Sequence, residues 1–171
     1  MAAASVSFEL REIDAARKLL EEAELDAGDR GRLLQSVGVE METQTRERFD
    51  TRRSPEGDSW KALAQRTAEY YMDAGLGHRS ILVGTGMLRD SVTSEVESGA
   101  WSALVGATME YAATHRFGAT VRPRTAKALA VPGYGMLRKA TIPVRPYLGV
   151  SRENAKEIAS IASAFMAGRI Q

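Results

Sequence analysis

The stretch Val92-Thr-Ser-Glu-Val96-Glu-Ser-Gly-Ala-Trp101-Ser-Ala-Leu-Val-Gly106 decides the fold class. Val92, Ser94 and Val96 alternate with Thr93, Glu95 and Glu97, a period of two that suits a strand with one face against a core. Ser98-Gly99 supplies turn chemistry, and the chain returns from Trp101 to Gly106, so the segment reads as an antiparallel hairpin. On its amino-terminal side the period is helical. Leu34, Val37, Met41, Thr45 and Phe49 fall on one face of a helix expected from near Asp29 to about Thr51. Leu10, Ile13, Ala16, Leu20 and Ala23 mark an earlier helix over residues 9 to about 25, ended by Asp26-Ala27-Gly28-Asp29.

Between helices and hairpin, Ser54-Pro55-Glu56-Gly57-Asp58 is a loop, because proline and glycine do not continue a helix. A short helix is expected over 63 to 73, and a helical turn from Met87 to Ser91. Beyond the hairpin, Met109 to Phe117 reads as a short helix closed by Gly118. Strands are expected near 120–122, 127–131 and 141–144, punctuated by Pro123, Pro132, Pro143 and Pro146, which favours edge strands and ordered loops. Ser151 caps a last helix whose stripe is Ala155, Ile158, Ala162 and Phe165. The fold class is therefore α+β: an antiparallel sheet flanked by amino-terminal helices and a carboxy-terminal helix. One domain over 1–171 is expected, with a helical region at 9–52, a strand-rich region at 92–150 and the terminal helix at 151–168.

Composition is ordinary for a globular chain, 44% hydrophobic and 26% charged, and there is no cysteine. That excludes disulfide frameworks, thiol nucleophiles and Cys-ligated metals. No apolar run reaches the ~20 residues of a membrane span, and Met1 to Ser7 lacks the pattern of a signal peptide, so manufacture in the cytoplasm and no membrane partner are expected. Net charge is only +1, but it is unevenly distributed. Residues 1–110 carry 13 Lys/Arg against 20 Asp/Glu, whereas 111–152 carry 8 basic residues and no acid. Two readings of this split stay open: charges mixed over one solvated surface, or a basic face turned to nucleic acid or to an acidic face of a neighbouring copy.

Catalytic parts are scarce. The two histidines, His78 and His115, have no partner at metal-ligand spacing, and no nucleophile elbow accompanies them. Gly84-Thr85-Gly86 lacks the Gly-Lys-Ser/Thr that completes a phosphate loop. No catalytic, cofactor or metal site is expected.

Five blocks in order are more specific: Val37-Gly38-x-x-Met41-x-x-x-Thr45-Arg46-x-Arg48-Phe49; Pro55-Glu-Gly57-Asp-Ser-Trp60-x-x-Leu63; Ile81-Leu82-x-x-Thr85-Gly86-x-Leu88-Arg89-x-Ser91; Tyr111-Ala112-x-x-His115-x-Phe117-Gly118; and Arg145-Pro146-Tyr147-Leu148-Gly149-Val150-Ser151. Together they resemble the phage virion morphogenesis family, the tail-completion proteins of Mu-like and P2-like phages. The resemblance implies a non-enzymatic virion component where tail meets head, assembled in the host cytoplasm, with a fold similar to ring-forming tail terminator and neck proteins. It further implies partners in the tail tube or sheath and in the head connector.

By chemistry alone, Trp60 behind its Pro/Gly turn is a plate that pins a loop to the body or to a neighbour. Leu88 should face inward and Arg89 outward, and Arg145 to Gly149 reads as a rigid extended segment with an exposed guanidinium and two apolar anchors. Trp60, Arg89, His115, Arg122, Arg124, Arg145 and Tyr147 are accordingly interface candidates, with Glu21 and Glu22 on the acidic side. The leading expectation is a homomeric ring, six-fold to match the tail tube, in which one patch meets a different patch on the next copy. A sequence-independent nucleic-acid module and a His115-dependent hydrolase are the alternatives.

Overall fold

The computed structural model describes residues 25–77, 80–97 and 102–168, and the backbone of 4–9. Strand β1 (Ala4–Glu9) is followed by helices α1 (Ala27–Thr51), α2 (Gln65–Asp73) and α3 (Met87–Asp90). Strands β2 (Val92–Val96) and β3 (Ser102–Ala107) precede helix α4 (Ala112–Phe117). Four short strands, β4 (Ala119–Val121), β5 (Leu129–Val131), β6 (Gly135–Leu137) and β7 (Ala140–Ile142), lead into helix α5 (Arg152–Met166). The mixture is α+β, as the periodicities predict. The helix expected over 9 to 25 lies outside the described residues except at its ends, where Glu9 closes β1; Glu21, Glu22, His78 and Trp101 also lie outside them.

Helix α1 starts where Asp26 accepts a hydrogen bond from the Asp29 backbone N–H at 2.8 Å, which satisfies one of the free donors of the first turn. It buries Leu33, Leu34, Val37, Met41, Thr45 and Phe49, the helical-period stripe, against the sheet. Each such apolar side chain contributes about 1.5–3 kcal/mol relative to exposure. Gly38 allows the close approach: a Cβ there would lie 2.9 Å from Ser94 Oγ. Beside it the Glu42 carboxylate accepts from Ser94 Oγ at 2.7 Å and from the Ser94 N–H at 2.5 Å. Arg46 donates to the Val92 carbonyl at 2.6 Å and pairs with Glu42 at 3.1 Å. This polar seam sets the register of α1 on β2.

The sheet has strand order β1-β3-β2, antiparallel throughout. Val92 pairs with Ala107 and Val96 with Ala103, as the predicted hairpin requires. Ala103, Val105 and Ala107 are buried while Leu104 is exposed, the period of two expected of a half-buried strand. Strand β1 was not expected. It pairs along the other edge of β3, from Ala4 opposite Ala107 to Glu9 opposite Ser102.

Beyond α4 the chain changes character. The β4–β7 and β5–β6 pairs are separate two-stranded ribbons, close to the predicted strands, with β6 an addition. From residue 113 to residue 144 no side chain is fully buried. The turn between β5 and β6 is moored to α2, where Arg66 donates to the Gly133 carbonyl at 2.7 Å and the Thr67 and Tyr134 hydroxyls share a hydrogen bond at 2.9 Å. Helix α5 then returns to α1, with Ile158, Ala162 and Phe165 buried.

Candidate functional site

The motif blocks converge on two adjoining features, a buried clasp and a cavity. The clasp begins at the end of α1, where Arg52 takes a left-handed conformation (φ 57°) and turns the chain back. The Ser54 N–H donates to the Asp58 carbonyl at 2.8 Å, and the Trp60 N–H to the Arg52 carbonyl at 2.8 Å, so the Pro/Gly loop closes on itself and delivers Trp60 beside Phe49. The two rings meet edge-to-face at 5.6 Å, and Tyr147 lies 5.2 Å from Phe49 on another side. Trp60 Nε1 donates to the Pro146 carbonyl at 2.8 Å and the Tyr147 hydroxyl to the Ala112 carbonyl at 3.1 Å, so both rings have their polar ends satisfied. Burial pushes the Tyr147 phenol up to about 12.

Arg48 ties this cluster to α5. Its guanidinium donates to the carbonyls of Tyr147 and Gly149, both at 2.9 Å, and to Asn154 Oδ1. Asn154 Oδ1 also accepts from the Ser151 N–H at 2.7 Å, and Ser151 Oγ from the Asn154 N–H at 2.9 Å, the reciprocal capping box that starts α5. Burial lowers the Arg48 pKa to about 10, with Glu56 opposing, and the group stays cationic at neutral pH. Gly149 (φ 156°) closes the arrangement, since a Cβ there would lie 2.8 Å from Pro55 Cγ.

The cavity, about 290 Å³, opens beside Arg145. Tyr71, Ser80, Thr85, Tyr111, His115 and Arg145 form its polar lining, and among the described residues no carboxylate lines it. Its loop wall is bent at Leu82 (φ 61°), Gly84 (φ 47°) and Gly86 (φ 85°), and a non-glycine residue in that region holds local strain. Ser80 Oγ and His115 Nδ1 are buried atoms with no hydrogen-bond partner among the described residues. Each such group carries a desolvation penalty of about 1–3 kcal/mol. Burial and then the Arg145 charge hold His115 below the usual histidine pKa, while Tyr111 packs edge-on at 5.8 Å.

The sequence candidates thus separate. Trp60, Arg145 and Tyr147 are buried by their own chain. The expectation of an exposed guanidinium at Arg145 is corrected: it is 6% exposed and donates to the Lys61 carbonyl at 2.9 Å and to the Ala62 carbonyl at 3.3 Å. Leu88 is buried and Arg89 half-exposed, paired with Asp90 at 3.0 Å and Asp50 at 3.6 Å. His115 is half-buried, and Arg122 and Arg124 are exposed in the loop between β4 and β5. The sequence reading did not single out Ser80 or Asn154. Asn154 stands three residues after the capping Ser151, which is the signal for it; nothing local marks Ser80.

Family comparison gives this arrangement its context. The profile of the phage virion morphogenesis family matches residues 10–167. The chain belongs to that family. In this chain the clasp and the cavity draw on residues from all five quoted blocks. The chain is also 30% identical over 148 residues, 85% of its length and 86% of the other's, to protein G of Escherichia phage Mu, named for capsid assembly. No solved structure matches. These names are of virion assembly proteins and point to a morphogenetic role, away from catalysis. Among the described residues no helix is long and apolar enough to cross a membrane.

Proposed function

We propose that this member of the family is a tail-completion subunit that closes into a ring, six-fold to match the tail tube, at the head-proximal end of a phage tail. The observation that carries this reading is the arm formed by residues 119–144. No residue of it is fully buried, and Arg122, Arg124, Lys127, Arg138 and Lys139 are all exposed, with no acid among them. Val121, Met136 and Val144 are exposed on the same arm, and Phe117 just before it is 62% exposed. A surface that combines exposed apolar side chains with one sign of charge suits contact with another chain. Its ring partner is the acidic side of the next copy, for which Glu21 and Glu22 are the nominees.

The test is sedimentation of charge-reversed chains. Arg122→Glu with Arg124→Glu should weaken self-association, and Glu21→Lys with Glu22→Lys in the same chain should partly restore it. Close interfacial charge pairs couple by about 1.5–7 kcal/mol, so a partial rescue is measurable. A second reading rests on the same five cations: the arm faces the phosphates of the genome without reading bases. In that case ring mass is unchanged and genome retention or ejection fails. Tail completion also separates from capsid assembly by phenotype: loss of the chain should leave full heads and unjoined tails, whereas absent or malformed heads would overturn it.

A further inference from the structure

The cavity beside Arg145 takes no part in the contact proposed for the 119–144 arm. Its lining includes residues of four motif blocks, namely Leu63, Leu82, Thr85, Leu88, His115 and Arg145. Their chemistry is one-sided: a cation, an imidazole and hydroxyls, set among leucines, with no carboxylate among the described residues. We propose that this cavity is a receptor for one carboxylate, carried on an acidic side chain of an adjoining copy of the same chain.

A carboxylate is the one side-chain group that only accepts hydrogen bonds and also carries negative charge. It therefore gives partners to a Ser80 O–H and a His115 N–H and neutralises Arg145 at the same time. Amides and hydroxyls satisfy the donors and leave the cation uncompensated. Arg145 commits its Nε and one terminal nitrogen to the carbonyls of Lys61 and Ala62, and its charge remains. Because that charge is largely enclosed, it is screened less than a surface arginine and attracts an anion more strongly. The leucines fit the methylene stem of an acidic side chain, which a phosphate lacks. A volume near 290 Å³ lies at the lower bound of small-molecule sites and suits a single inserted side chain. The neighbour as source rests on the ring reading and on the acidic excess of residues 1–110.

Glutarate is the probe, added to the full-length chain with sodium chloride at matched ionic strength as control. The chain has two histidines, so a His115→Gln variant assigns the His115 ring signal by its loss. That signal should shift saturably with glutarate and not with chloride, and Ser80→Ala should weaken the binding by about tenfold, the effect of losing one hydrogen bond to a charged group. Thermal melting of Ser80→Ala confirms its fold. No saturable shift, an equal response to inorganic phosphate, or unchanged affinity in Ser80→Ala overturns the carboxylate receptor. Sedimentation then decides the source. Glutarate and Ser80→Ala should each reduce self-association. If glutarate binds while ring mass is unmoved, the ring stands and the neighbouring copy is overturned as the donor. If glutarate binds a chain that stays monomeric at every concentration, the ring and that donor fall together while the receptor chemistry stands.

Discussion

Arg145 and Arg122 belong to one basic segment and have opposite environments. Arg145 is enclosed, with backbone carbonyls of another loop as its acceptors, whereas Arg122 stands in solvent in the loop after β4, within a segment that has no fully buried residue. The same contrast separates the clasp around Phe49, Trp60 and Tyr147 from the whole 119–144 arm. Positive charge in the sequence does not by itself mark a binding surface. What decides is whether the fold brings unpaired carbonyls to the guanidinium, and those carbonyls come from distant loops.

The contrast is broken most severely at Trp60. Trp60→Ala removes a 6% exposed ring with its edge-to-face contact and its hydrogen bond to Pro146, and is expected to cost about 3–5 kcal/mol. Urea denaturation measures it, and a loss under about 1 kcal/mol, the range of ordinary substitutions, would show that the loop stands without its plate. Arg48→Met should cost somewhat less, about 2–3 kcal/mol, because it retains apolar bulk but leaves the Tyr147 and Gly149 carbonyls unpaired. Arg48→Lys should recover only part, since an ammonium lacks the planar fork that reaches two carbonyls and Asn154 at once. Full recovery in Arg48→Lys would reduce the clasp to a buried point charge.

Much of the fold is legible in the sequence because its period is strong where burial is strong. The stripe from Leu34 to Phe49 and the alternation from Val92 to Val96 name the two surfaces that pack together. Strand β1 is harder to read: Ser5-Val6-Ser7-Phe8 alternates too briefly to outweigh the helical period that follows, and its reason to be a strand is the free edge of β3. The blocks that form the clasp are also visible, but their roles are not. Arg48 reads locally as a cation suited to a helix carboxyl end; its true acceptors are about a hundred residues away in the chain. The cavity is invisible for the same reason. Ser80 and His115 line one cavity although they stand far apart in the chain.

A smaller effect links the two regions through pH. His115 lies below its ordinary pKa of 6.5 because burial, and then Arg145, disfavour the imidazolium. The unfolded chain therefore binds more protons than the folded chain below about pH 6.5, so stability is full above that value and falls as pH drops through the lower, folded-state pKa. His115→Gln should flatten that part of the profile, read as denaturation midpoints between pH 7 and pH 5. An unchanged slope would assign the acid sensitivity to other groups. Glutarate should flatten it as well if a carboxylate seats beside the imidazole, since an anion there favours the proton.

The smallest expected effect completes the contrast. Arg122→Glu with Arg124→Glu should change the folding stability of the isolated chain by no more than about 0.5 kcal/mol, the range for surface substitutions away from packed features. Both side chains are exposed, they lie between ribbons whose strands pair with each other among the described residues, and the mooring to α2 runs through Gly133 and Tyr134 instead. Reversal also removes two of five like charges crowded on one arm, which offsets part of any loss. Equal midpoints alongside weakened self-association would show an arm whose cations act only between chains. A loss of 2 kcal/mol or more, well beyond the surface range, would mean that the arm folds onto the body and belongs with the clasp.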